Sequence, residues 1–162
     1  MSENLMQLES LLGEELRIFS NVLRLEKEKS EAIIKKDGNL MQKLSQEQEN
    51  YLDKIPPLEK NRRDIINYYS RKNPKGNLTL TDIASIESAT DDLTQIGSLL
   101  KKTLNKIKSV QETNNKMMND NLEYFRKIIK EIRQSVTIET GYSEKGIEKG
   151  KTLNSFILDK KI

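Results

Sequence analysis

Apolar residues recur at steps of three and four through three long stretches of the chain, the spacing of one face of an α-helix. In the first, Leu5, Leu8, Leu12, Leu16, Phe19 and Leu23 form a stripe that Leu11, Ile18, Val22 and Leu25 widen. It runs through the charged patch Glu26-Lys27-Glu28-Lys29 to about Ile34, where Asp37-Gly38 gives a turn or capping signal. The second carries Leu40, Leu44, Tyr51, Leu52, Ile55, Leu58, Ile65, Ile66 and Tyr69. Pro56-Pro57 lies inside it and predicts a kink or a restart, because proline lacks a backbone donor and clashes with the preceding turn. The segment 71–77, with Pro74 and Gly76 two apart, reads as the clearest loop in the chain.

The third stretch starts after Thr79 or Thr81, either able to cap it, with Asp82 favourable in its first turn. Its stripe is Ile83, Ile86, Thr90, Leu93, Gly97, Leu100, Leu104, Ile107, Gln111, Asn114, Met118, Leu122, Phe125, Ile129, Ile132 and Val136. Two steps of four in a row at Asn114, Met118 and Leu122 mark a stutter. Free of proline, it predicts a single rod of roughly 80 Å. From Thr137 onward Gly141, Gly146 and Gly150 punctuate a Lys-rich stretch. The pattern therefore predicts an all-α protein, an elongated antiparallel helical bundle or coiled coil. Its helices span about 3–36, 39–72 and 80–136, together one domain (1–136), and 137–162 forms a flexible C-terminal tail.

The lengths carry a functional expectation. Two helices of about 30 residues joined by a short turn make a hairpin of roughly 45–50 Å. Such a hairpin covers helix three only to about Val110, and the polar run Gln111-Glu112-Thr113-Asn114-Asn115 falls where cover should end. Beyond it Met118, Leu122, Phe125, Ile129 and Ile132 renew the apolar stripe with no evident partner in the chain. Three readings stay open for this stripe: it binds another protein, it forms a homodimer, or a returning tail covers it through Leu153, Phe156, Ile157 and Leu158.

Composition narrows the field of functions. Charged residues make up 33% of the 162 and hydrophobic ones 35%, so helices with large solvated faces suit the chain better than a thick core. Cysteine and histidine are absent, which excludes disulfides, thiolate metal sites and Cys nucleophiles and removes the commonest general base and zinc ligand. Carboxylate pairs such as Glu14-Glu15 and Asp91-Asp92 are sequence neighbours that point to different helix faces. No Gly-rich phosphate loop precedes a Lys-Ser or Lys-Thr pair. No catalytic residue, cofactor or metal is therefore expected, and no enzyme.

Basic residues cluster at Lys60, Arg62, Arg63, Arg71 and Lys72 beside Tyr68 and Tyr69, but 28 basic residues face 25 acidic ones for a net charge of +3. Spread so thinly, the charge reads as a solvated surface, not a nucleic-acid site. No apolar run reaches the ~18 residues of a membrane span. The opening Met1-Ser2-Glu3-Asn4 has no basic region leading into an apolar core, so neither membrane insertion nor a secretory signal is expected. A cytoplasmic location follows. Tyr142, alone in Gly141-Tyr142-Ser143-Glu144-Lys145-Gly146, reads equally as a tail anchor or as an interface residue.

The order of these features resembles a known family. Leu8-Glu9-Ser10-Leu11-Leu12-Gly13-Glu14-Glu15 is followed by Ala32-Ile33-Ile34-Lys35-Lys36-Asp37, then Leu40, Leu44 and Glu47, then Leu58-Glu59-Lys60-Asn61-Arg62. A long third helix comes next, and Tyr142 stands four residues before Gly146. Over essentially the whole chain this is similar to the FlgN flagellar export chaperones. The resemblance implies a chaperone that grips the terminal helical region of hook–filament junction (hook-associated) proteins, keeps them unassembled and presents them to the flagellar type III export gate. It nominates the late third helix for cargo and Tyr142 for docking at the gate. A structural coiled-coil protein dimerising through helix three is the alternative; a weak homodimer is compatible with the chaperone reading. Pro56-Pro57 and the sequence after Gly146 depart from the family pattern.

Overall fold

The computed structural model describes residues 2–88, 91–120 and 130. Five helices occur among the described residues: α1 (Glu3–Ile34), α2 (Gly38–Leu52), α3 (Ile55–Arg71), α4 (Leu80–Ile86) and α5 (Asp92–Asp120). The all-α class holds, but both later stretches are divided. The tail expected at 137–162 lies outside the described residues.

Each division has a local cause. Between α2 and α3 the helix ends at Leu52 and restarts at Ile55, which places Pro56 in the first turn of α3, where a missing N–H costs nothing. The restart that Pro56-Pro57 signalled is what occurs. The third stretch, expected to be one uninterrupted helix, breaks after Ile86. Ser88 adopts a left-handed conformation (φ 50°), and α5 begins only at Asp92. Two contacts hold this break. The Tyr69 hydroxyl donates to Glu87 Oε1 at 2.6 Å, directly at the end of α4. A Cβ placed on Gly97 would lie 2.8 Å from Leu80 Cδ1, so α4 folds back closely on α5 at this glycine. In one continuous helix residues 80 and 97 would stand about 25 Å apart.

The described residues form two compact units, one with Val22 and the residues before it together with Glu49–Thr103, and one of Leu23–Gln48 with α5 from Leu104 onward. In the first, Leu5, Leu8, Leu12, Ile18, Phe19 and Val22 of α1 are buried, as are Leu52, Ile55, Ile65, Tyr69, Ile83, Leu93 and Leu100. Glu15 is only 1% exposed among them and accepts a bond from Arg62 Nε of α3 at 3.0 Å. Thr79 begins α4 with a capping box: its hydroxyl accepts from the Asp82 N–H while the Asp82 carboxylate accepts from the Thr79 N–H. Lys75 Nζ also donates to Asp82 at 2.7 Å.

The second unit is built on the hairpin of α1 and α2. Its turn spends three residues, and Lys36 takes the left-handed conformation (φ 53°). Lys36 N–H bonds Ile33 C=O and Asp37 N–H bonds Ala32 C=O, the paired bonds of a Schellman ending. Asp37 then caps α2 by accepting from the Leu40 N–H at 3.0 Å. Gly38 is thus the first residue of α2, and the left-handed position that favours glycine is held by a lysine. Leu25, Ala32, Ile33, Met41, Leu44, Leu104 and Ile107 are the buried apolar residues of this unit.

Candidate functional site

Of the residues nominated from the sequence for cargo, Met118 is the one the structure describes. It lies in the last turns of α5, half-buried, as is Met117 beside it. Leu122, Phe125, Ile129, Ile132 and Tyr142 lie outside the described residues.

What precedes Met118 differs from the expectation. The polar run 111–115 was placed where cover by the hairpin ends, yet Gln111 and Asn114 are 6% and 2% exposed. Cover therefore reaches at least one turn beyond Val110. Asn114 fits beneath the hairpin because its polar atoms find partners there. Its Nδ2 donates to the Glu26 backbone carbonyl at 3.0 Å and to Glu26 Oε1 at 2.9 Å, and its Oδ1 accepts from Ser30 Oγ at 2.6 Å. Glu26, itself 2% exposed, takes a further bond on Oε2 from Gln48 Nε2 at 2.7 Å. Lys29 Nζ closes the circuit, 3.4 Å from Glu26 Oε2 and 3.2 Å from Gln48 Oε1.

One polar layer thus joins α1, α2 and α5 inside an otherwise apolar unit. Burying a carboxyl and two amides is costly unless each is bonded, and here the bonds come from all three helices at once. Gln111, one turn earlier on the same face of α5, is buried with its Oε1 lacking a hydrogen-bond partner. Sequence reasoning took these residues for a gap. The signal that they were interior was their register: Gln111 and Asn114 keep the stripe's spacing, and Glu26 and Gln48 match them in kind.

Nothing among the described residues suggests catalysis. No group of three or more Asp or Glu could hold a metal ion there. A shallow, open groove of the first unit is lined by Asn4, Gln7, Asn61, Asp64, Ile65 and Tyr68, with Asp64 its sole carboxylate. The Tyr68 ring is half-exposed and carries Lys72 Nζ 4.1 Å from its centroid. Asp82 has the largest electrostatic perturbation, its pKa lowered to about 2 by the Lys75 ammonium and then by the Thr79 N–H and hydroxyl. That is the signature of a helix cap, and Asp82 is not among the residues that line the groove. No helix among the described residues is long and apolar enough to cross a membrane.

These features define an all-helical protein in which, among the described residues, the buried polar chemistry is an ion pair of α1 with α3 and a polar layer joining α1, α2 and α5. The chain matches the family model described as FlgN protein over residues 1–150 and belongs to that family. FlgN proteins are flagellar export chaperones, which is the general role the chain inherits from its family. No curated protein and no solved structure matches it significantly.

Proposed function

We propose that the chain is a cytoplasmic chaperone for hook-associated (hook–filament junction) proteins. It binds their terminal helical regions, blocks premature assembly and delivers them to the flagellar type III export gate. The cargo surface is the apolar stripe Met118, Leu122, Phe125, Ile129 and Ile132, and Tyr142 is the docking residue at the gate.

The observation that supports this reading is the exposure of α5 as it passes the polar layer. At successive positions of the stripe, Ile107, Gln111 and Asn114 are buried and Met118 is half-buried. The apolar period nonetheless continues in the sequence. Met118 lies on the side of α5 on which Leu93, Leu100, Leu104 and Ile107 are buried, and in the sequence Leu122, Phe125, Ile129 and Ile132 keep that helical spacing at about 100° per residue. The stutter corrects the drift of about 20° per heptad that strict alternation would build up. Cargo helices would take up this face where the chain's own cover thins, the helix-in-groove mode of recognition. Burial of each large side chain gives about 1.5–3 kcal/mol before ordering costs, so five of them suit a micromolar to nanomolar complex. Paired methionines suit a surface that accepts more than one cargo.

The test is binding of the purified chain to the terminal helical regions of two hook-associated proteins, with Phe125→Asp as the control. Expected is tight, equimolar binding, weakened at least 100-fold in the variant while helicity by circular dichroism stays near wild type. Unfolding of Phe125→Asp would place the stripe in the core and overturn the site. A stable dimer with no affinity for either cargo would overturn the chaperone reading in favour of a structural coiled coil.

A further inference from the structure

The polar layer of the second unit does something that the apolar contacts around it cannot. Leu25, Ile33, Met41, Leu44, Leu104 and Ile107 are buried here, but apolar contact is not directional and does not by itself select one axial register of α5 on the hairpin. Asn114 has no such freedom. A slide of one turn moves its amide by about 5–6 Å. Gln111 or Met118 would then face the Glu26 carboxyl, and the three bonds that Asn114 makes in its present register would be lost together; Gln111 carries its amide on a longer side chain and Met118 carries none. The Ser30 hydroxyl would lose its Asn114 acceptor, and Glu26 Oε1 its amide donor. The same matching reaches across to α2 through Gln48 and Lys29.

We propose that Glu26, Gln48 and Asn114 are positioning residues that fix a single axial register of α5 on the α1–α2 hairpin, and so set how far along α5 the hairpin's cover extends. Slipped one way, α5 would draw Met118 to the level of Glu26; slipped the other, it would carry Met118 one turn further from that level. A single buried polar match that selects one register among several apolar ones is a known means of specifying helix packing. Its characteristic is a loss of uniqueness, with no necessary loss of stability, when the match is replaced by apolar side chains.

The experiment replaces the match and reads the register directly. The chain has no cysteine, so Lys35→Cys and Lys108→Cys, both at exposed positions of this unit, can carry spin labels in an otherwise unreactive background. Distances between the labels by electron paramagnetic resonance are compared for the parent and for Glu26→Leu/Gln48→Leu/Asn114→Leu. Expected is one narrow distance in the parent. The triple variant should melt at the same temperature or higher yet show a broadened or double distribution, with components displaced by about one helical turn. A triple variant that keeps the parent's single distance overturns the proposal, because the apolar packing then suffices. Should the triple variant not fold, Asn114→Leu alone is read by the same criterion.

A second arm rests on the cargo reading: the triple variant should bind cargo about 10-fold more weakly, since only part of the population presents the stripe correctly. Failure of that arm with the distance result intact would count against the cargo site and leave the register role standing.

Discussion

Glu15 and Arg62 give the sharpest quantitative test of the first unit. Glu15 interrupts the apolar stripe of α1 and is 1% exposed, and Arg62 Nε of α3 donates to its Oε1 at 3.0 Å. Arg62 itself keeps 12% of its side chain accessible, so the two partners are not equally trapped. Arg62→Leu leaves a buried carboxyl without its cation, a change that costs 3–5 kcal/mol at fully enclosed sites. Because water reaches the outer edge of this pair, about 3 kcal/mol is expected. Glu15→Leu strands only the arginine, which can turn its head to solvent, and should cost about 1 kcal/mol. The double variant Glu15→Leu/Arg62→Leu removes both desolvation penalties and adds apolar contact, so it should lie within about 1 kcal/mol of the parent or above it. Urea unfolding followed by far-ultraviolet circular dichroism measures all four proteins, and the cycle gives a coupling of about 3 kcal/mol. An Arg62→Leu variant less than about 1 kcal/mol below the parent would refute the reasoning. So would a double variant no more stable than Arg62→Leu, since the loss would then be one of packing.

Three further outcomes follow from local geometry. Lys36 holds a left-handed turn at φ 53°, so Lys36→Gly should stabilise the hairpin by about 0.5–1 kcal/mol, read as a higher urea midpoint. Gly97→Ala sets a helix-propensity gain of about 1 kcal/mol against displacement of Leu80 Cδ1 from 2.8 Å, the movable end of a half-buried side chain. The two nearly cancel, whereas Gly97→Val should expel Leu80 and speed hydrogen exchange of the α4 amides. Asp82 has its folded pKa depressed to about 2 from 3.8, so its cap stabilises α4 fully above pH 3.8 and is lost as pH falls through about 2. Carboxyl chemical shifts should titrate near 2, and Lys75→Met should raise that midpoint; an unperturbed midpoint would remove the cap's electrostatic role.

Much of the secondary structure was legible because its causes are local. The stripe of α1, the restart at Pro56 and the capping box at Thr79 and Asp82 each depend on residues within a turn or two of one another. Even so, Asp37-Gly38 was read one position out of phase. Lysine can occupy a left-handed position when two backbone bonds hold it there, and the neighbouring glycine gave the louder signal.

Periodicity, local breaking signals and family membership were therefore determined by the sequence alone: an all-helical chain, the restart at Pro56, and a match to FlgN over residues 1–150. Two features were decided by tertiary structure. The sequence between α4 and α5 carries no proline and keeps the apolar period, yet α4 ends at Ile86. The break exists because Tyr69, eighteen residues before Glu87, and Leu80, folded back on Gly97, hold the chain there. Asn114 is interior only because Glu26 lies 88 residues earlier and Gln48 completes the partner set. A helical period reports which side of a helix is apolar, but a polar residue on that side is a gap or a keystone according to what stands opposite, and that is fixed only when distant segments meet.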